Sequence, residues 1–175
     1  MGSIGSNLQE VKRRIQAAFV TAGMGADMTA GMGADMTAGV TADMAAGMSA
    51  GRGAHVVTQA VGPGAVNSVT LLAVSKTFDA EAVREALAAG QHAFGENYVQ
   101  EALAKIDALA SLRSQLEWHF IGPLQSNKTR SVAEAFDWVH SVDRLKIAQR
   151  LAEQRPPHLP PLQLCLQVNV SGEAS

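Results

Sequence analysis

The chain has 175 residues, of which 47% are hydrophobic, and a formal net charge of −2 at pH 7, which suits one sizeable domain with a buried core. The lack of a basic surplus argues against nucleic acid or an anionic membrane as a partner. No apolar run approaches the roughly 18 residues that a membrane span requires, and we see no secretory signal. The single cysteine, Cys165, fits a reducing compartment, so we expect a cytoplasmic protein.

A helix is predicted over about 7–20, within an amino-terminal unit that we bound at residues 1–22. Polar and charged residues separate apolar residues that recur at spacings of three and four, which is typical of an amphipathic helix. These apolar residues are Leu8, Val11, Ile15 and Phe19.

Residues 23–64 have a different composition. The unit GMGADMTA occurs at 23–30 and again at 31–38, and degenerate copies continue to residue 54. Glycine opposes a stable helix, and no copy has a large apolar residue beyond Met or Val. We therefore expect a low-complexity Gly/Ala/Met insertion that is disordered. A Met-rich loop for a soft metal or a partner is the alternative.

From residue 65 onward, the pattern predicts strands that alternate with helices. The apolar run Leu71 to Val74 is typical of a strand buried on both faces, and the helix after it is capped by Asp79. Such alternation specifies βαβ crossovers and a parallel sheet. The further strands are predicted near 92–97, 117–123, 138–142 and 162–170, and the helices after the first three of them start near Tyr98, Ser126 and Asp143. The helix after Asp79 is expected to bury Val83, Ala86 and Leu87. Glu101 and Lys105 are expected to form an i,i+4 pair on the next helix. The last helix is expected to place Leu145, Ala148, Leu151 and Ala152 on one inward-facing stripe.

Two architectures fit five such strands. One is an open doubly wound sheet, and the other is the first part of a (β/α)₈ barrel, which typically needs about 250 residues. The chain ends at Ser175, with no helix after the fifth strand, which favours an interrupted barrel. In that case, the strand that begins near Leu71 would have no outer neighbour, and both edges of the sheet would be open.

Parallel strands bring their carboxyl ends to one rim of the sheet, where Lys76, Asn97 and His119 are expected to gather. Lysine at a dry strand end gives up its proton more easily, and the free amine can form a Schiff base with an aldehyde. Each residue also fits a structural role: a solvated or phosphate-pairing lysine, a helix-capping asparagine and a packed histidine. No HExxH, CxxC, EF-hand, P-loop or GxGxxG pattern predicts a metal or nucleotide site.

Five segments carry a specific resemblance to a known family. From about 69 to 175, the chain resembles the YggS/PROSC family of pyridoxal-phosphate-binding proteins, which act in vitamin B6 homeostasis. The segments are LLAVSKTF (71–78), AGQHAFGENYVQEAL (89–103), LEWHFIGPLQSNK (116–128), FDWVHSVDRLKIAQRL (136–151) and LQVNVSGE (166–173).

The resemblance implies an α/β fold, an alanine-racemase-like (β/α)₈ TIM barrel, with only about the first five βα units present at 65–175. It implies that Lys76 holds pyridoxal 5'-phosphate (PLP) through a Schiff base, that Asn97 lies near the cofactor and that His119 lines the same pocket. It further implies a protein that binds and buffers PLP without a catalytic reaction of its own, with PLP-dependent apoenzymes as partners. We expect a monomer.

The chain departs from the family pattern in three ways. The repeat tract enlarges the segment before the first strand to nearly fifty residues. Phe78 stands where many members have a second lysine, and strands six to eight, which carry phosphate-binding elements in the family, are absent. Two alternatives therefore stay open. One is a PLP-dependent racemase or lyase of small amino acids, for which neither Tyr98 nor Cys165 is a suitable second acid or base. The other is a non-functional fragment that is poorly stable and binds PLP weakly.

Overall fold

The computed structural model describes residues 3–21, 54–58, 69–170 and 172. Residues 23–53 of the repeat tract lie outside these ranges, as does the segment 59–68, so the expected disorder stays a prediction there. Within the described residues, no helix is long and apolar enough to cross a lipid bilayer.

Strands and helices alternate from residue 69 onward, as the sequence pattern predicts. The strands of the described chain are β1 (Ala54–Thr58), β2 (Val69–Val74), β3 (Ala93–Glu96), β4 (Glu117–Phe120), β5 (Trp138–Val142) and β6 (Gln163–Leu166). Its α-helices are α1 (Ile4–Thr21), α2 (Ala80–Ala88), α3 (Val99–Ala108), α4 (Thr129–Ala135) and α5 (Leu145–Gln154). Short 3₁₀ helices at Ala110–Gln115 and Ser126–Lys128 precede β4 and α4.

Strands β2 to β6 pair in chain order, and each pair is parallel. A doubly wound sheet reverses its strand order at a switch point, and the described sheet contains no such reversal. One helix lies between each pair of successive strands, which is the arrangement of a (β/α)₈ barrel. The fold is therefore α/β and corresponds to the first five strands of such a barrel.

Strand β1 pairs antiparallel with the outer edge of β2, and Ala54 lies opposite Ala73. The prediction that this edge is open is therefore wrong. The sequence pattern did not predict β1, which lies within the segment 23–64. Its residues 55–58 read HVVT, and β-branched residues favour strands. An unpaired edge offers backbone donors and acceptors, so such a segment is stabilised when it pairs there.

The hydrophobic core lies between the sheet and the helices α2 to α5. Phe94 and Trp118 are paired in register and face the helices, with ring centroids 5.9 Å apart. Both side chains are fully buried, as is Phe136, whose ring meets that of Phe120 edge-on. Other members of this core are Val83, Ala102, Leu109, Val132, Val139, Ile147 and Leu151. One face of the sheet is thus covered by helices.

Helix α5 differs from its prediction in two respects. Its N-cap is Arg144 instead of Asp143, and Leu145 is 73% exposed. The buried residues are Ile147 and Leu151, which are four positions apart and share one face of the helix. Leu145 is two positions before Ile147 and so lies on a different face. The prediction of Leu145 as a core residue is wrong for this reason, and the predicted burial of Ala152 is wrong as well, since its side chain is exposed.

Candidate functional site

Lys76 follows β2 directly and is the second residue of a tight turn. The turn closes when the Phe78 N–H donates to the Ser75 carbonyl at 3.1 Å. Thr77, the third residue, has a φ of +66°, a value that type II turns normally reserve for glycine. For a residue with a Cβ, the left-handed region costs about 1–2 kcal/mol. The structure therefore holds strain in the residue next to Lys76.

Helix α3 holds this turn from both sides of Lys76. The Glu101 carboxylate accepts a hydrogen bond from the Thr77 N–H at 2.5 Å. The Lys105 Nζ donates to the Ser75 carbonyl at 2.8 Å. The Lys76 side chain is half-buried, and its amine makes no hydrogen bond or ion pair with the residues that the structure describes. The Lys76 backbone is therefore fixed, while its amine has no partner in the described part of the chain.

A buried polar network lies behind the turn. The Glu96 carboxylate Oε1 is 2.6 Å from the Lys105 Nζ and also accepts from the Ser75 Oγ at 2.6 Å. Burial raises the pKa of the Glu96 carboxyl, and the hydrogen bonds from Lys105 and Ser75 oppose this increase only in part. Glu96 Oε2 has no hydrogen-bond partner among the described residues.

The sequence predicts one part of this network. The helical Glu101–Lys105 pair is confirmed, with Oε1 and Nζ 3.3 Å apart. The other partners were missed, because Glu96 and Ser75 are distant from Lys105 along the chain. The available signal was Glu96 itself, a carboxylate that ends a short and otherwise apolar strand, since buried charges are normally paired.

Asn97 follows β3 on the neighbouring strand end. Its Oδ1 is buried and accepts no hydrogen bond within the described chain. The Asn97 backbone packs directly on Gly122, where a Cβ would overlap the Asn97 carbonyl oxygen and lie 2.8 Å from its carbonyl carbon. The Ser141 Oγ donates to the Gly122 carbonyl at 2.6 Å. The carboxyl ends of β3, β4 and β5 are thus joined by short contacts, and Gly122 is needed for the close approach.

His119 lies deeper in the sheet than Lys76 and Asn97. In register it pairs with Gly95, which pairs with Val74, the strand residue two positions before Lys76. The two residues from Val74 to Lys76 correspond to roughly 6.6 Å along the strand direction. The two strand spacings between β2 and β4 correspond to about 10 Å across the sheet. The structure therefore brings Lys76 and Asn97 to adjacent strand ends, while His119 lies one layer below them.

The surroundings of His119 make it a neutral, packed side chain. Its Nδ1 is 2.9 Å from His140 Nε2, and its ring stacks on Trp138 with centroids 5.6 Å apart. Its Nε2 lies 3.2 Å from Glu117 Oε1, but the geometry is not that of a hydrogen bond, and this buried atom has no other partner in the described chain. Burial and, secondarily, the charge of His140 lower the pKa of His119 to about 3.

A concave surface also lies at the opposite, amino-terminal end of β4 and β5. Its lining includes His92, Glu117 and Trp138, together with Arg113 and Asp137, which form an ion pair at 2.6 Å. Parallel α/β folds carry their chemistry at the carboxyl ends of the strands, so we assign the site to the rim at Lys76. The described residues contain no group of three potential metal ligands.

Comparison with known proteins gives a consistent set of relatives. Proteins named pyridoxal phosphate homeostasis protein are 73% identical over 108 residues in Pseudomonas aeruginosa and 61% identical over 108 residues in Escherichia coli K12. The first alignment covers 62% of this chain and 46% of the relative, and the second covers 61% and 46%. The chain thus spans about half the length of these curated relatives.

A solved structure and a family model agree with these relatives. PipY of Synechococcus elongatus PCC7942, solved with PLP bound, matches with a TM-score of 0.55 and 50% identity, over 60% of this chain and 50% of that chain. The family described as alanine racemase, N-terminal domain, matches residues 57–173, well over half of the sequence. The chain therefore belongs to the alanine racemase N-terminal domain family.

Proposed function

We propose that this chain binds PLP covalently through the Lys76 Nζ and serves PLP homeostasis. The observation that carries the proposal is the half-buried Lys76 amine at a strand end, unengaged by the described residues and flanked by fixed backbone. The names of the relatives and the PLP-bound structure of PipY support the same ligand.

The other lysines are less suited to this role. Lys12 donates to the Gly90 carbonyl at 2.7 Å, and Lys105 is buried in its ion pair with Glu96. Lys146 is exposed on α5. Lys128 follows β4 on the carboxyl side of the sheet and is the most relevant competitor. A mapping experiment therefore has to separate Lys76 from Lys128.

The residues around Lys76 fit PLP as a ligand. PLP supplies an aldehyde, an electrophile with which a free amine can form a covalent bond. Lys76 would provide that amine. Asn97, whose buried Oδ1 has no partner among the described residues, would hydrogen-bond a polar group of the cofactor. His119, uncharged at neutral pH, would form the floor of the site.

The test is a PLP titration of the full chain, followed by borohydride reduction and peptide mapping. A visible absorption band and a label on Lys76 are expected. The variant Lys76→Arg should lose both signals, whereas the matched controls Lys128→Arg and Lys146→Arg should retain them. A label at another lysine, or no label on the unmodified chain, contradicts the proposal.

We infer further that the chain catalyses no reaction of its own. A racemase needs a second acid or base beside the lysine. Tyr98 is 60% exposed at the N-cap of α3. Cys165 lies on β6, which is the fourth strand across the sheet from β2 and so is distant from Lys76. Burial also raises the pKa of the Cys165 thiol. The test is exchange of the alanine α-proton in deuterated water. Exchange by the unmodified chain that is lost in Lys76→Arg would contradict this inference.

The remaining proposals concern where and with what the chain acts. A single cysteine suits a reducing cytoplasm, and PLP-dependent apoenzymes are the proposed recipients of the cofactor. We propose a monomer. Light scattering of the PLP-loaded chain measures its mass, and reactivation of a PLP-free transaminase measures transfer.

A further inference from the structure

Two side chains of α3, one helical turn apart, reach the backbone on either side of Lys76. The Glu101 Oε1 accepts from the Thr77 N–H at 2.5 Å, and the Lys105 Nζ donates to the Ser75 carbonyl at 2.8 Å. The Lys105 Nζ also lies 3.3 Å from Glu101 Oε1 and so restrains that carboxylate. The Lys105 side chain is only 4% exposed, which fixes the anchor in the core.

The hydrogen bond that Glu101 accepts comes from Thr77, the strained residue of the turn. Thr77 has a φ of +66°, a conformation that a β-branched residue leaves unless other contacts hold it. If the Thr77 N–H were released, its φ could return to a negative value. The peptide group between Lys76 and Thr77 would then rotate, and the direction of the Lys76 side chain would change with it.

We propose that Glu101 is a positioning residue for Lys76. It holds Thr77 in the left-handed conformation and thereby sets the direction in which the Lys76 amine leaves β2. Lys105 supports this role because it holds both Glu101 and the Ser75 carbonyl. The inference rests on the proposed function of Lys76, since it names what prepares that amine for PLP.

The first test compares Glu101→Ala with Glu134→Ala in the full chain. Glu134 is a matched control, because it forms an i,i+4 pair with Arg130 at 3.8 Å on the exposed face of α4. Two signals are measured: the dissociation constant for PLP, and the NMR shift of Lys76 after reductive ¹³C-methylation without PLP. Glu101→Ala should weaken PLP binding about tenfold and move the Lys76 signal, since misdirected reacting groups lose affinity and rate. Glu134→Ala should change neither.

The second test separates positioning from a general loss of structure. Glycine adopts positive φ without strain, so Thr77→Gly should remove the need for Glu101. The double variant Glu101→Ala/Thr77→Gly should recover PLP affinity to within about threefold of the unmodified chain. A role of Glu101 in stability alone predicts no such rescue, because the ion pair with Lys105 is still missing.

Two results would overturn the positioning role: an unmoved Lys76 signal in Glu101→Ala, or a double variant that binds PLP as weakly as the single one. A different result addresses the proposed function. If the unmodified chain takes up no PLP at Lys76, that function is contradicted, and the methylated Lys76 signal still decides whether Glu101 directs the side chain.

Discussion

Lys105 Nζ lies 2.6 Å from Glu96 Oε1, and the two side chains are 4% and 0% exposed. Both charges have left water, so each depends on the other to offset the desolvation cost. The pair joins α3 to the carboxyl end of β3. Through the Ser75 carbonyl, it also reaches the end of β2, where Lys76 follows. One buried ion pair therefore connects the helix layer to the candidate site.

Removal of the Lys105 charge should destabilise the fold strongly. Lys105→Met leaves the Glu96 carboxylate buried without its cation, which typically costs about 3–5 kcal/mol. The free energy of unfolding in urea measures the loss. The double variant Lys105→Met/Glu96→Leu should recover most of it, because apolar residues can replace a buried ion pair. If the free energy of unfolding of Lys105→Met fell by less than about 1 kcal/mol, the prediction would be contradicted, because such a loss is typical of exposed ion pairs.

His119 should make the fold less stable as the pH falls. Its pKa is about 3 in the folded chain, against 6.5 for an unperturbed histidine, so between these values the unfolded chain binds more protons. Stability therefore falls as the pH drops from 6.5, by about 2 kcal/mol for this group at pH 5. Urea unfolding at pH 6.5 and pH 5 measures the free energy of unfolding of the unmodified chain and of His119→Gln. The change in this free energy between the two pH values should be smaller for His119→Gln.

The exposed His158 provides the control for that experiment. His158→Gln should keep the pH dependence of the unmodified chain, because this side chain is exposed and outside the packed surroundings of His119. Equal slopes for His119→Gln and the unmodified chain would mean that His119 becomes protonated within the fold.

A side chain at position 122 should break the contact between the β3 and β4 ends. The Cβ of Gly122→Ala would overlap the Asn97 carbonyl oxygen, and backbone atoms cannot move aside cheaply. We expect a loss of about 3 kcal/mol in thermal or urea unfolding. Gly5→Ala is the control: its Cβ meets Ala89 Cβ at 3.5 Å, and α1 should gain up to about 1 kcal/mol. Equal stabilities of Gly122→Ala and the unmodified chain would contradict the close approach.

Asn97 should affect the ligand more than the fold. Its Oδ1 is buried without a partner in the described chain, so Asn97→Ala removes no hydrogen bond of that atom. We expect a change in stability below about 1 kcal/mol, and PLP binding weakened about tenfold by the loss of one polar contact. A PLP titration measures the affinity, with the exposed Asn7→Ala on α1 as control. Unchanged affinity would exclude Asn97 from the site.

Much of the fold was predictable because its signals are local. The apolar run at Leu71 to Val74 and the later strand segments all correspond to observed strands. Val83 and Ala86 are buried on α2, as their spacing indicates. The Asp79 side chain caps α2, because its Oδ1 accepts a hydrogen bond from the Ala82 N–H at 2.9 Å. Periodicity and capping depend on neighbours along the chain, so they can be seen in the sequence.

The candidate site was predictable only in part. The positions of Lys76 and Asn97 after successive strands follow from the alternating pattern, and so does the Glu101–Lys105 pair. The depth of His119 was not foreseen, because it depends on the register between strands. The exposure of Leu145 was missed, since the phase of a short helix is set by the surface on which it packs.

The sequence by itself determined the alternation of strands and helices, the parallel sheet and the lysine at the end of its first buried strand. These depend on hydrophobic periodicity and on residues close together in the chain. Only the tertiary structure decided that β1 covers the edge of β2, that Lys105 is buried against Glu96, and that Glu101 holds Thr77 beside Lys76. Each of these contacts joins residues some twenty positions apart or buries a charge, and its free energy depends on the neighbours that the fold brings together.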